Sequence, residues 1–283
     1  MKASILINNY NYQNYIDECL SSVLNQDYNN IEIVFFDDAS TDDSLNVVKK
    51  HLTKIHLLEN QNPKAKFNSH NQHNAIIKAF EKSTGDIIFL LDSDDYFMPS
   101  KVKEIMRLYE TRPHVNSIQD TIITQIGKEK IISDYLSVNR NFNPLDFVLK
   151  TNLILCLGPQ TSGLSFRRHY FSSLLKSYNF NVPLIWPDIQ FGRKALFENM
   201  AIVIKKPLTV RRIHDSNDSL KLKKEMSVFL DQYTIWFNEY FKTTVNLNYK
   251  IKSKLSVVFK TSLYFIKKGD LISIKRLFSI FKL

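Results

Sequence analysis

The chain has 283 residues, 44% hydrophobic and 23% charged, the composition of an ordinary globular protein and not of a disordered one. Two cysteines, Cys19 and Cys156, build no disulfide framework and stand at no zinc-ligand spacing, so both are expected to be small buried residues of a reduced, cytosolic protein. The net charge of +10 is unevenly placed: residues 243–283 carry nine Lys or Arg against a single acid, Asp270.

The first hundred residues alternate strand and helix signals. Ala3–Ile7 begins as an apolar strand, too short to be a signal peptide. Tyr15–Leu24 places Ile16, Leu20, Val23 and Leu24 on one helical face, with Asp17 and Glu18 expected in the first turn. Ile31–Phe36 is the next strand, and Ser40 to Ser44 offers capping chemistry for a helix with Leu45, Val47 and Val48. Ile55–Leu58 reads as a third strand. Asn74–Phe80 has helical spacing, and Thr84-Gly85-Asp86 then turns into an apolar run, Ile87–Leu91. Such alternation predicts a parallel sheet with right-handed crossovers. Beyond Pro99 the pattern predicts a helix over Lys101–Tyr109, strands at Ile118–Ile126, Ile131-Ile132 and Thr161–Phe166, and helices at Arg168–Leu175 and after Pro187-Asp188. Ala201–Ile204 and Leu208–Ile213 read as a pair of strands or one bent strand around Pro207. The tail carries three apolar stripes at helical spacing, the first running from Met226 through Phe229 and Trp236 to Tyr240. No stretch of about 18 apolar residues exists, so no membrane-spanning helix is expected. Three parts follow: an α/β half over 1–99, a second half over 100–219, and a basic helical tail over 220–283.

Two strand ends carry chemistry. Ile87–Leu91 reads as a strand buried on both faces, and it stops at Asp92-Ser93-Asp94-Asp95. Carboxylates this close raise each other's pKa unless a cation neutralises them, and Mg²⁺ or Mn²⁺ takes such oxygens together with substrate phosphates. Ligands of open α/β sheets bind at this edge. The alternative is a solvated acidic turn. Phe35-Phe36-Asp37-Asp38 repeats the pattern on the second strand; a carboxylate there can accept from a base edge or ribose hydroxyl, or simply cap the next helix. Gly85 is the only glycine before Gly127, which excludes the Gly-rich phosphate cradles.

The series Asn8-Asn9-Tyr10-Asn11, Leu20–Gln26, Asp37–Asp42, Asn74, Gly85-Asp86 and Asp92–Asp95 resembles family 2 glycosyltransferases, closely over residues 3–100 and loosely to about 215. The resemblance implies a GT-A fold, an α/β mostly parallel sheet flanked by helices, here with a C-terminal helical extension. It implies an inverting, metal-dependent transfer from a nucleotide-diphosphate sugar, commonly UDP-linked. Position by position it puts Asn8 beside the nucleotide, Asp38 on the base, Asp92 near the ribose, Asp94 on Mn²⁺ or Mg²⁺ and Asp95 in support. Asn74 and the Lys64–His73 loop would border the nucleotide, with Lys64 and Lys66 as candidate cations. Asp188 is the candidate base, although Pro187 stands where the family commonly has a Glu. His214 can reach the metal or diphosphate, and Arg211 or Arg212 can pair with phosphate.

Other readings compete. A Mg²⁺-dependent phosphohydrolase also uses Asp-x-Asp after a strand, but normally near the N-terminus. A catalytically inactive GT-A-fold binding or scaffold protein would not need Asp38, Asp92, Asp94 and Asp188 together. Nucleic acid is not expected as a partner, because the basic excess lies on amphipathic segments; 243–283 suits an anionic membrane surface or packs its apolar faces on the domain. The acceptor is then a glycan or lipid-linked molecule, and the location cytoplasmic, with possible attachment to the inner membrane face.

Overall fold

The computed structural model describes residues 1–61, 64–132, 160–198 and 200–217, together with 228, 229, 232, 235, 236 and 239. The chain divides into two compact units. The first comprises Met1–Ser137, Pro159–Tyr178 and Pro187–His214, and holds a nine-stranded sheet with its helices. Its first half runs β1 (Ala3–Asn9), α1 (Gln13–Leu24), β2 (Ile31–Asp37), α2 (Ser44–Lys49), β3 (His56–Glu59), α3 (Asn68–Lys82) and β4 (Ile87–Asp92). These strands pair in parallel in the order β3-β2-β1-β4. β4 is apolar throughout because it is covered on both faces, and Ile87 to Leu91 are all fully buried.

The second half adds β5 (Tyr96–Phe97), α4 (Lys101–Thr111), β6 (Ser117–Ile126), β7 (Glu129–Ile132), β8 (Leu164–Arg167), α5 (Arg168–Lys176), α6 (Pro187–Phe197) and β9 (Ala201–Ile213). Here the sheet becomes mixed: β8 is antiparallel to both β4 and β6, β6 runs parallel to β9, and β5 is antiparallel to β9. Pro207 does not end β9; the strand stays continuous and absorbs it with a register shift against Thr121 and Ile122 of β6. The stretch expected as a strand over Thr161–Phe166 instead opens with a 3-10 turn at Thr161–Gly163, because its polar groups serve the site described below.

α1 begins at Gln13, so Asp17 and Glu18 fall in its second turn rather than its first. The negative partner of its N-terminus comes from another loop: Gln13 N–H donates to Asp42 Oδ2 at 3.0 Å. At the opposite sheet edge Gly85 is sterically required. A Cβ there would lie 2.4 Å from Ser4 Oγ and 2.7 Å from Ser4 N, at the place where Gly85 N–H donates to that hydroxyl.

The second unit is described at Asn179–Trp186, Asp215–Asn217 and the six residues between 228 and 239. Leu184 N–H donates to Gln232 Oε1 at 2.6 Å, and the Asn179 amide donates to Glu239. Phe229 and Trp236 of the first apolar stripe are buried, while Val228 and Ile235 are exposed. The other two stripes and Cys156 lie outside the described residues. Among the described residues no helix is long and apolar enough to cross a membrane.

Candidate functional site

The chain order of the strands decides where the site lies. β1 leads to β2 and β3 on one side, and β4 returns to its other side. The carboxyl ends of β1 and β4 therefore meet at the switch point of the sheet, where a crevice opens between diverging connections. In this register Asn8 lies opposite Asp92, and Asn9 opposite Asp37. Asn8 Nδ2 donates to Asp92 Oδ1 at 2.8 Å, and Gln72 Nε2 of α3 reaches the same oxygen at 3.0 Å. Asn9 staples the two strand ends: its amide donates to Asp37 Oδ1 at 2.7 Å and its carbonyl accepts from Ser93 at 2.6 Å.

Asp92, Asp94 and Asp95 offer oxygens within 4.8 Å of one another. Burial, then repulsion from Asp94, pushes the Asp92 carboxyl up to about 7 against the pull of the Asn8 amide. Burial, then Asp94 and Asp92, raises Asp95 as well. His214 Nε2 stands 3.1 Å from Asp94 Oδ2, its ring stacked on Tyr15 at 4.5 Å and edged by Tyr12 at 5.5 Å. Three crowded carboxylates and an imidazole, with two of the acids forced toward protonation, form a donor set that a hard divalent cation would relieve.

Around this centre the two aspartates at the end of β2 separate. Asp37 is consumed structurally, accepting from Asn9, from the Ser40 hydroxyl at 2.6 Å and from Ser40 N–H at 2.8 Å. Asp38 accepts from Asn60 Nδ2 at 2.7 Å, with Lys64 Nζ 3.7 Å away, and burial raises its pKa. The loops that follow β1 and β2 each contain a left-handed residue, Asn11 at φ 58° and Ala39 at φ 55°. Asn11 accepts from Thr41 N–H at 2.7 Å, tying the two loops together. Ala39 has no such side chain and carries a strain of about 1–2 kcal/mol.

Asp188 sits in the first turn of α6. Its Oδ1 accepts from Ile189 N–H at 2.7 Å and its Oδ2 from Thr161 N–H at 3.3 Å. Burial pushes its pKa up to about 6, opposed by those bonds and by the charge of Arg211. Asp188 in turn helps raise Asp92, so its charge is felt at the cluster. The neighbouring arginines diverge, as successive residues of a strand must. Arg211 acts on Asp188, whereas the Arg212 guanidinium is buried between Tyr15 and Tyr96 and pairs with Glu18 at 3.3 Å.

Helix phase sets which residues of α3 approach the carboxylates. Asn74 is exposed on α3, and the residue of that helix that reaches the carboxylates is Gln72. Asn60, Gln72 and Ser162 were not singled out by pattern. Gln72 lay inside the loop expected to border the nucleotide; Asn60 and Ser162 carry no sequence signal, being single members of the short polar runs Glu59-Asn60-Gln61 and Gln160-Thr161-Ser162.

The model of the family described as glycosyl transferase family 2 matches residues 4–200. The chain belongs to glycosyl transferase family 2. It is 29% identical over 232 residues to an uncharacterised glycosyltransferase of Nostoc sp., a match covering 78% of this chain and 67% of that one. It is 33% identical over 106 residues to the poly(ribitol-phosphate) β-N-acetylglucosaminyltransferase TarS of Staphylococcus aureus, covering 37% of this chain but 18% of that protein. The solved structure of S. aureus TarS residues 1–349 with UDP superimposes with a TM-score of 0.60 at 17% identity, over 100% of this chain and 91% of that one. A mannosyltransferase of Pyrobaculum calidifontis in complex with GDP-Man and Mn²⁺ gives 0.61 at 14% identity, over 99% and 73%. The fold is therefore the GT-A fold of this glycosyltransferase family, and the chain is a transferase.

Proposed function

We propose that this glycosyltransferase moves a sugar from a nucleotide-diphosphate donor, UDP-linked, to a hydroxyl of a glycan or lipid-linked acceptor with inversion, in the synthesis of surface polysaccharide, lipopolysaccharide or glycoprotein glycan. The observation that carries this reading is the cluster of Asp92, Asp94 and Asp95 at the switch point, with His214 on Asp94. Nucleotide sugars in the solved neighbours support it. Mn²⁺ or Mg²⁺ would be held by Asp94, Asp95 and His214, and when bound it neutralises the charge that develops on the departing diphosphate.

The chain's own residues divide the remaining tasks. Asp38, steadied by Asn60 and Lys64, accepts a ring N–H from the base; uracil presents one there, whereas cytosine does not. Asn8 and Gln72 hold Asp92 by one oxygen and leave the other toward the ribose. Arg211, whose charge acts on Asp188, would pair with a phosphate oxygen of the donor. Asp188 takes the proton of the acceptor hydroxyl as its oxygen bonds to the anomeric carbon. The bond from that carbon to the diphosphate oxygen breaks on the opposite face, and inversion follows. A carboxylate titrating near 6 is largely ionised at neutral pH and still basic enough for this task. We extend the reading to the tail: residues 243–283 meet an anionic membrane surface at the cytoplasmic face. Equal flotation on anionic vesicles with and without 243–283 would remove that part.

Calorimetric titration of UDP, GDP, CDP and dTDP with Mn²⁺, repeated in EDTA, tests the whole. UDP is expected to bind only with Mn²⁺. Absence of binding by every nucleotide would reject the reading.

A further inference from the structure

Beneath the carboxylates lies a second charged assembly that takes no part in the transfer. Lys101, the first residue of α4, is completely buried, and so is Asp120 in the middle of β6. Their ammonium and carboxylate meet at 2.7 Å. Lys101 has three donors, and each finds an acceptor: Asp120 Oδ1, the Ser162 carbonyl at 2.6 Å, and the Thr209 hydroxyl. The Thr209 hydroxyl in turn donates to Asp120 Oδ2 at 2.8 Å. The pair is thus neutral and satisfied, and it joins α4, β6, β9 and the 3-10 turn.

Such a pair is a poor way to gain stability, because desolvating two charges offsets most of their attraction, and apolar residues of similar volume serve as well. What it supplies is direction. Ser162, whose carbonyl is held by Lys101, turns its side chain to the cluster. Its hydroxyl donates to Asp95 Oδ2 at 2.6 Å, and its oxygen accepts Asp92 N–H at 3.1 Å. Asp95 Oδ1 is fixed from the other side by Arg212 N–H at 2.9 Å. Both flanks of Asp94 are therefore tied to one residue, and that residue is tied to the buried pair.

We propose that Lys101 and Asp120, acting through Ser162, are positioning residues that hold the Asp92–Asp95 turn in the geometry that receives the divalent cation of the nucleotide diphosphate. This rests on the donor-site reading above. Groups behind metal ligands typically govern metal affinity by 10–100-fold. The deciding measurement is Mn²⁺ titration by electron paramagnetic resonance in the presence of UDP, with melting temperatures recorded in EDTA. It is made on the full chain, on Ser162→Ala, and on the paired variant Lys101→Met with Asp120→Asn, which removes both charges together. We expect Ser162→Ala to remain folded, melting a few degrees lower because it strands Asp92 N–H, and to bind Mn²⁺ about tenfold more weakly. The paired variant should show a similar loss. Unchanged Mn²⁺ affinity in Ser162→Ala, or in a folded paired variant, would overturn the proposal and leave the network as core packing. Should the paired variant not fold, Ser162→Ala alone decides. If the unsubstituted chain itself takes up no Mn²⁺ with UDP, the donor-site reading fails first and this proposal with it.

Discussion

The two edges of the parallel half of the sheet hold carboxylates in opposite states. At the amino edge, Glu32 of β2 receives Lys2 Nζ, the Ser4 hydroxyl at 2.5 Å, and the backbone of Thr84 and Gly85. Burial pushes its pKa up, but those donors outweigh burial and hold it at about 2. At the carboxyl edge, Asp92 is pushed up to about 7 and Asp95 is raised as well, because burial and mutual repulsion exceed the donors supplied. The same side-chain chemistry closes a structure at one end and leaves a charge deficit at the other. A carboxylate with a full set of donors fastens strands; a group of them short of donors is prepared for a cation.

Substitutions at the two edges should therefore fail in different ways. The largest effect is expected for Asp188→Asn: kcat should fall by about a thousandfold while donor binding with Mn²⁺ stays within about twofold, measured by steady-state kinetics beside calorimetry. Asp94→Ala should weaken Mn²⁺-dependent UDP binding by about a hundredfold, with little change in melting temperature in EDTA. Glu32→Ala should reverse that pattern. It strands several donors and is expected to cost about 2 kcal/mol, a fall of about 4–8 °C by differential scanning fluorimetry, with Mn²⁺ affinity of the folded protein unchanged. A loss of Mn²⁺ affinity in Glu32→Ala would break the contrast between the edges.

The smallest effect is a pH slope whose sign differs for the two edges. Asp92 is raised on folding, so between about pH 4 and 7 the folded state keeps a proton that the unfolded chain has released. Stability in EDTA should accordingly fall as pH rises through that window, and Mn²⁺ should flatten the slope. Glu32 is lowered on folding, so its contribution is present above about pH 4.5 and is lost as pH falls toward 2. Melting temperatures in EDTA from about pH 2 to 7.5 check both; a steady rise between about pH 4.5 and 7 would contradict the charge deficit at the carboxyl edge.

Particular residues show how much the sequence disclosed. Asp92, Asp94 and Asp95 were legible because an apolar strand buried on both faces has one polar exit, and polar residues there face the crevice by topology. Asp38 was legible as a carboxylate at a strand end, but nothing in Asp37-Asp38 told which would be consumed by Asn9 and Ser40. The helix that carries Asn74 begins at Asn68, six residues earlier than the apolar spacing implied; Asn74 lies on its exposed face, and Gln72 is the residue that reaches Asp92. Lys101 reads in sequence as an ordinary solvated residue at a helix start, and Asp120 as a polar interruption of a strand.

The sequence by itself determined the strand and helix alternation of the first hundred residues, the two acidic strand ends and the family to which they belong. The alternation and the acidic ends follow from local periodicity and from which residue types a strand end can expose; the family follows from the resemblance that the ordered motifs carry. Only the tertiary structure decided which carboxylates are neutralised and which are not. Lys101 meets Asp120, Ser162 and Thr209 across separations of 19, 61 and 108 residues, and Glu32 meets Gly85 across 53. Charge balance in a low-dielectric interior is set by neighbours in space, and no short-range pattern in the chain encodes it.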